Sequence, residues 1–159
     1  MIPNPKSLAL PLAGLILLAA CSDTPRTPPP AKPISDDAAT DACAMRLHDL
    51  CGPMLLYFAA KHRLPLTLQE LEPYAFGPTP LLFTCPESGL PYQYASDGLT
   101  RDGDPWRLLV FDAKAVHHGM RWGIVGLPES GTHPADLRVV QLTESVYQEY
   151  VRSAPADGP

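Results

Sequence analysis

Basic residues are scarce in this 159-residue chain: 12 lysines and arginines stand against 17 aspartates and glutamates, the formal net charge is −5, and nowhere do the cations cluster. A surface built to hold a phosphate backbone is thereby excluded, and no nucleic-acid partner is expected. Long apolar runs are missing too. The longest, "LALPLAGLILLAA", is broken by Pro11 and Gly14 and is too short to serve comfortably as a permanent membrane span. No internal repeat is present, and neither GxSxG nor HExxH occurs, so no catalytic residue and no enzymatic activity is expected. With 45% hydrophobic residues the chain can form one ordinary core, but not two of comfortable size.

What is present begins with an N-terminal signal. Lys6 precedes the apolar run, which ends in "LAAC" and resembles a bacterial lipobox. The resemblance implies cleavage before Cys21, acylation of its thiol, and a mature chain held to a membrane by lipid. Ser22 in the next position, instead of aspartate, favours the outer membrane of the cell envelope. Residues 1–20 are thus read as a signal peptide. Residues 21–40 form a lipidated tether, because "SDTPRTPPPAKPIS" carries five prolines and little to bury. At about 3.1 Å per residue such a segment could hold a domain roughly 40 Å from a bilayer. Residues 153–159, "SAPADGP", read as a disordered tail.

The span 41–152 reads as one α+β domain. In "DDAATDACAMRLHDLCGPMLLYFAAKH", Cys43, Leu47, Leu50, Cys51, Met54 and Phe58 recur at three- and four-residue steps, which predicts a long helix laid on a sheet. Asp36, Asp37 and Asp41 suit its positive end, and Gly52-Pro53 predicts a kink or short break near residues 49–53. "LPLTLQELEPYA" predicts a second short helix with a capping box from Thr67 to Glu70. Then "LLFTC", "PYQYA", "WRLLVFD", "RWGIVG" and "LRVVQL" read as short antiparallel strands separated by turn signals. A C-terminal helix follows, capped by Thr143.

These residues resemble a family. "CAMRLHDLCGPMLLYFAAKHRLPLTLQELEPYA" is similar to the helix and following loop of type IV pilin-like proteins and type II secretion pseudopilins. "FTCPESGLPYQY" resembles their hairpin, and "HHGMRWGIV" a later strand, so that the match covers about residues 42–150. It implies a pilin-like body, with a long leading helix packed on an antiparallel sheet, acting in contacts with secretion or pilus machinery. Two features depart from it. No cleavage-exposed apolar helix is present to build a fibre, and "GLPESGTHPADL" replaces the family's usual late turn.

Cysteine geometry narrows the thiol chemistry. With Cys21 given to lipid, Cys43, Cys51 and Cys85 remain, an odd number for an oxidising compartment. Cys43 and Cys51 would be separated by about 12 Å of helix rise, too far to bridge. Cys85 is the natural partner for one of them. Cys51 is preferred, since the middle of the helix should face the sheet, and Cys43 is the alternative. Such a bridge would contribute about 3 kcal/mol; three buried reduced thiols are the competing reading.

No metal ligand and no cofactor is assigned from the sequence. His117 and His118 are consecutive, so on a strand they would point to opposite faces, and a turn with Gly119 supplying a permissive backbone accounts for them. Asp97, Asp102 and Asp104 lack the spacing of a calcium loop. The leading expectation is a lipid-anchored, non-enzymatic envelope protein with an interaction domain. The alternative is a calcium- or zinc-binding envelope lipoprotein using His117, His118 and the aspartates near residue 102.

Overall fold

A computed structural model describes residues 41–127 and 136–153. The signal sequence, Cys21, the tether with Asp36 and Asp37, and the tail beyond Ser153 lie outside the described residues.

The first element, α1 (Ala42–Lys61), is a 20-residue helix whose N-cap is Asp41. One Asp41 carboxylate oxygen accepts the N–H groups of Cys43 and Ala44 at 2.8 and 3.1 Å, satisfying donors that the helix itself leaves unpaired. Cys43, Ala44, Leu47, Leu50, Cys51, Met54 and Tyr57 form its buried face. At the other end His62 closes the helix in the left-handed conformation, its N–H donating to the Phe58 carbonyl. A 3₁₀ turn follows over Leu68–Tyr74, with the Glu70 carboxylate accepting the backbone N–H groups of Leu66 and Thr67.

Four strands, β1 (Gln93–Arg101), β2 (Asp104–Phe111), β3 (Met120–Gly126) and β4 (Leu137–Thr143), run as an antiparallel meander in sequence order. The helix α2 (Glu144–Arg152) starts directly from β4, and the Thr143 hydroxyl accepts the Val146 N–H. Alternation along the strands sends side chains to opposite faces. Val110, Trp122 and Ile124 join the buried face of α1 in the larger core, while Leu108, Phe111, Val125 and Leu142 join Tyr150 of α2 in a second. A register shift between Leu108 and Val110 turns both Leu109 and Val110 toward α1.

Several expectations need correcting. The pilin-like plan of one long, kinked leading helix on a sheet is overturned. The described helix begins only at Ala42, continues without a break through Gly52-Pro53, and is matched by α2 on the opposite face of a four-stranded sheet. Proline removes one backbone hydrogen bond, but Pro53 is buried, and its packing offsets that loss. The short helix after Thr67 is present with its capping box and is of the 3₁₀ type. "LLFTC" supplies a single bridge, Thr84 to Pro91, in place of a strand.

Two glycines distinguish tight packing from tolerance. A Cβ on Gly123 would lie 2.9 Å from both the Val110 carbonyl oxygen and a Leu108 methyl, against strand backbone that cannot retreat. Gly123→Ala should therefore cost about 1–3 kcal/mol in urea unfolding. A Cβ on Gly52 would lie 2.7 Å from the rim of the Phe76 ring, but that ring is 67% exposed and free to swing away. Gly52→Ala should be neutral, or stabilising by up to about 1 kcal/mol through helix propensity.

Candidate metal centre

Each of four buried side chains comes from a different piece of backbone. Cys43 sits in the first turn of α1, Cys85 opens the turn 85–89, Asp112 follows the last residue of β2, and His117 begins the hairpin into β3. Their ligand atoms all lie within 4.8 Å of one another.

Local structure explains the convergence. In "CPESG", the Gly89 N–H bonds to the Cys85 carbonyl at 2.9 Å and Gly89 takes a positive φ, which closes a tight turn. The Ser88 N–H points at the Cys85 sulfur from 3.5 Å. Asp112 continues the β2–β3 ladder by donating its N–H to the Trp122 carbonyl, and its carboxylate accepts the Trp122 N–H at 2.7 Å. His117 and Met120 exchange backbone hydrogen bonds around His118-Gly119, both with positive φ. That is the signature of a two-residue primed hairpin turn, and it turns His117 inward while His118 stays exposed.

Three of the separations approach those of ligands sharing one ion, with the two Asp112 oxygens each facing a different neighbour. His117 Nε2 lies 3.3 Å from Asp112 Oδ2 and 3.7 Å from Cys85 Sγ, and Cys43 Sγ lies 3.2 Å from Asp112 Oδ1. A zinc ion with bonds of about 2.3 Å to sulfur and about 2.0–2.1 Å to nitrogen or oxygen separates its ligands by roughly 3.3–3.8 Å.

A second layer surrounds this set. The Tyr92 hydroxyl is 3.1 Å from the Cys43 sulfur. Asp41 Oδ2 and Glu87 Oε2 each stand 3.0 Å from His117 Nδ1, but off the direction needed for a hydrogen bond, so that this buried nitrogen has no formal partner. A carboxylate at the far nitrogen of a ligating histidine fixes the ring and its tautomer. Asp41 thus caps the helix with one oxygen and faces the histidine with the other.

Burial favours the neutral Cys43 thiol and pushes its pKa far up, with Cys85 and Asp112 adding to the effect against the opposing Tyr92 hydroxyl. Burial also works to raise the Asp41 pKa. There the Trp122 indole, the Ala44 and Cys43 N–H groups and His117 outweigh it, and the carboxyl is held below its usual range.

Arg121 braces the centre from the side. Its guanidinium donates to the Asp112 carbonyl at 2.8 Å and to both Glu144 oxygens at 2.9 and 3.2 Å, and it lies 4.1 Å from the Tyr147 ring centre. The Arg121 and Gln148 donors hold the Glu144 carboxyl below its ordinary value of 4.5. A lowered carboxylate pKa stabilises the fold above the ordinary value, and the contribution disappears as pH falls through the folded one. Because Glu144 is 44% exposed, solvent screening keeps the effect under about 1 kcal/mol. Urea unfolding should show Glu144→Gln losing stability at pH 7 and differing little from the parent near pH 3.

The other sequence-selected residues lie elsewhere. The expected Cys51–Cys85 bridge is not formed: all three described thiols are free, Cys85 meets Cys43, and the Cys51 sulfur points at the Leu47 carbonyl one helical turn back. Asp102 is exposed in the β1–β2 turn. Asp104 is engaged by Arg101 at 2.6 Å and by the Tyr150 hydroxyl at 3.2 Å. This accounts for the acidic loop as a structural turn. By residue type Asp112 and the thiols could supplement a histidine site, but they stand at no recognised ligand spacing, so the sequence did not single out Cys43, Cys85 and Asp112 as a candidate set. A usable signal was the Cys-Pro-x-x-Gly turn, which aims a sulfur, together with an aspartate five residues before His117.

No family model matches the chain, and neither a characterised protein nor a solved structure is significantly similar to it.

Proposed function

We propose that this is a lipid-anchored protein of the bacterial envelope whose domain binds one thiophilic divalent metal ion, zinc above all, through Cys43, Cys85, Asp112 and His117. The observation that carries the reading is the convergence of four buried S, S, O and N donors within 4.8 Å of one another. Calcium suits the set poorly, since it takes six to eight oxygen ligands. Four protein ligands in the interior make a closed centre, the kind that stabilises a fold and leaves no open position for substrate. The protein accordingly acts by binding and not by catalysis.

The test is the metal content of full-length protein purified without chelator and then dialysed against equal zinc and calcium. One zinc per chain and no calcium is expected; a chain that retains neither would end the reading. Anchoring rests on the LAAC motif and is tested separately, since Cys21→Ser should move the protein from the membrane to the soluble fraction. Among the described residues no helix is long and apolar enough to cross a membrane.

A second reading, contact with other envelope proteins such as secretion machinery, has one favouring observation. Met45 and Leu56 are exposed on the α1 stripe that contains Gly52, where the exposed Phe76 ring rests. If the stripe is a contact surface, Met45→Lys with Leu56→Lys should remove envelope partners from cross-linked extracts while the metal content stays the same.

A further inference from the structure

The same centre holds a second chemistry, and the inference rests on the metal-binding reading. Two of the four ligands are cysteines, and their sulfurs lie within 4.8 Å of each other. Both belong to ends of elements, the first turn of α1 and the turn 85–89, where a shift of an ångström or two does not dislocate the sheet. Cys51 has no such neighbour, its sulfur being engaged with its own helix. The centre is also approachable from one side: a surface cleft of about 290 Å³ is lined by Asp41, Ala42, Cys43, Pro86, Glu87 and His117. Cys43 is among the lining residues and Cys85 is not, which makes Cys43 the cysteine nearer the cleft.

We infer that the centre is a redox switch, in which a small-molecule or protein disulfide oxidises Cys43 and Cys85 to an intramolecular bridge and thereby expels the metal. In the first step the metal-bound Cys43 thiolate attacks the incoming disulfide RSSR, forming a Cys43–SR mixed disulfide and releasing one RS⁻. In the second, the Cys85 thiolate attacks the Cys43 sulfur and releases the second RS⁻. Two cysteine thiolates lose two electrons in all and RSSR gains them. The metal ion leaves because Asp112 and His117 alone are too few ligands to hold it against solvent. Reduction by a dithiol reverses the sequence and restores the site.

The experiment uses the full chain loaded with zinc and treated with excess oxidised glutathione under native conditions. Zinc release is followed with a chromogenic chelator, and trapped thiols are mapped by peptide mass spectrometry. One zinc freed per Cys43–Cys85 linked peptide is expected, with Cys51 still alkylatable after denaturation and binding restored by dithiothreitol. Zinc retained with both thiols reduced would overturn the switch while leaving the metal reading intact. So would release that leaves only glutathione on Cys43, or a bridge to Cys51. A reduced chain that never takes up zinc, but still forms the Cys43–Cys85 bridge, would overturn the metal reading and the release together. The Cys51→Ser variant, which leaves all four ligands in place, should behave as the parent does.

Discussion

Stripping zinc from the loaded protein should lower its melting temperature by about 15–30 °C. Any ligand that binds only the folded state stabilises it by mass action, about 4 kcal/mol when free ligand exceeds the dissociation constant a thousandfold. For a domain of this size each kcal/mol corresponds to about 4–8 °C. The structural reason is that the centre ties the start of α1 and the turn 85–89 to the end of β2 and the hairpin into β3. Removing the ion also leaves Asp112, which has no solvent exposure, facing two thiols and an imidazole without a full counter-charge. Calorimetry of the loaded protein with and without chelator measures the difference directly. Asp112→Ala and Cys43→Ala should reproduce the loss, and Cys51→Ala should leave the metal-dependent part unchanged. A melting point indifferent to chelator would mean that the ion, if bound, does not hold the fold.

Truncation of Leu47 should be nearly as damaging, for a reason unrelated to the metal. Leu47 lies on α1 one turn beyond Cys43, is fully buried, and belongs to the cluster formed with Val110, Trp122 and Ile124 of the sheet. Leu→Ala at such a position removes apolar burial and leaves a cavity, costing about 2–5 kcal/mol. Met45, two residues earlier and 54% exposed, should tolerate alanine within about 0.5 kcal/mol. Urea denaturation of the two variants tests which face of α1 is the core. Equal effects would contradict the described packing.

The contrast between these two residues also shows what the sequence could reveal. Apolar spacing at Cys43, Leu47, Leu50, Cys51 and Met54 marks a helix and its buried face because a helix repeats every 3.6 residues. The strands from Trp106 onward were legible from β-branched and aromatic runs between turns, and Thr143 from its capping chemistry. What misled was punctuation. Gly52-Pro53 reads as a break, yet the helix absorbs it, since the cost of one missing hydrogen bond is local while the packing of Pro53, Met54 and Tyr57 is not visible in the chain order. Nor does periodicity tell which face of the sheet a terminal helix covers. That depends on the register and twist of four strands.

The centre was hidden for a different reason. Zinc motifs are recognised by short, fixed ligand spacings, whereas Cys43, Cys85 and Asp112 are separated by whole elements and meet only through the fold. The sequence argument that adjacent histidines cannot both face one site holds, because His117 is buried and His118 exposed. For His117 alone the structure adds what the chain order does not show, its approach to Cys43, Cys85 and Asp112. Cysteine geometry came nearer: it placed Cys85 against the helix, and the structure brings it to the end of α1 instead of the middle, about 12 Å of helix rise from Cys51.

X-ray absorption at the zinc edge of the full-length protein, purified without chelator, addresses the central claim most directly. The account predicts one zinc per chain in a first shell of two sulfurs at about 2.3 Å and two nitrogen or oxygen atoms at about 2.0–2.1 Å, with one sulfur lost in Cys85→Ser. A shell of oxygen and nitrogen alone, or a spectrum unaltered in that variant, would contradict it.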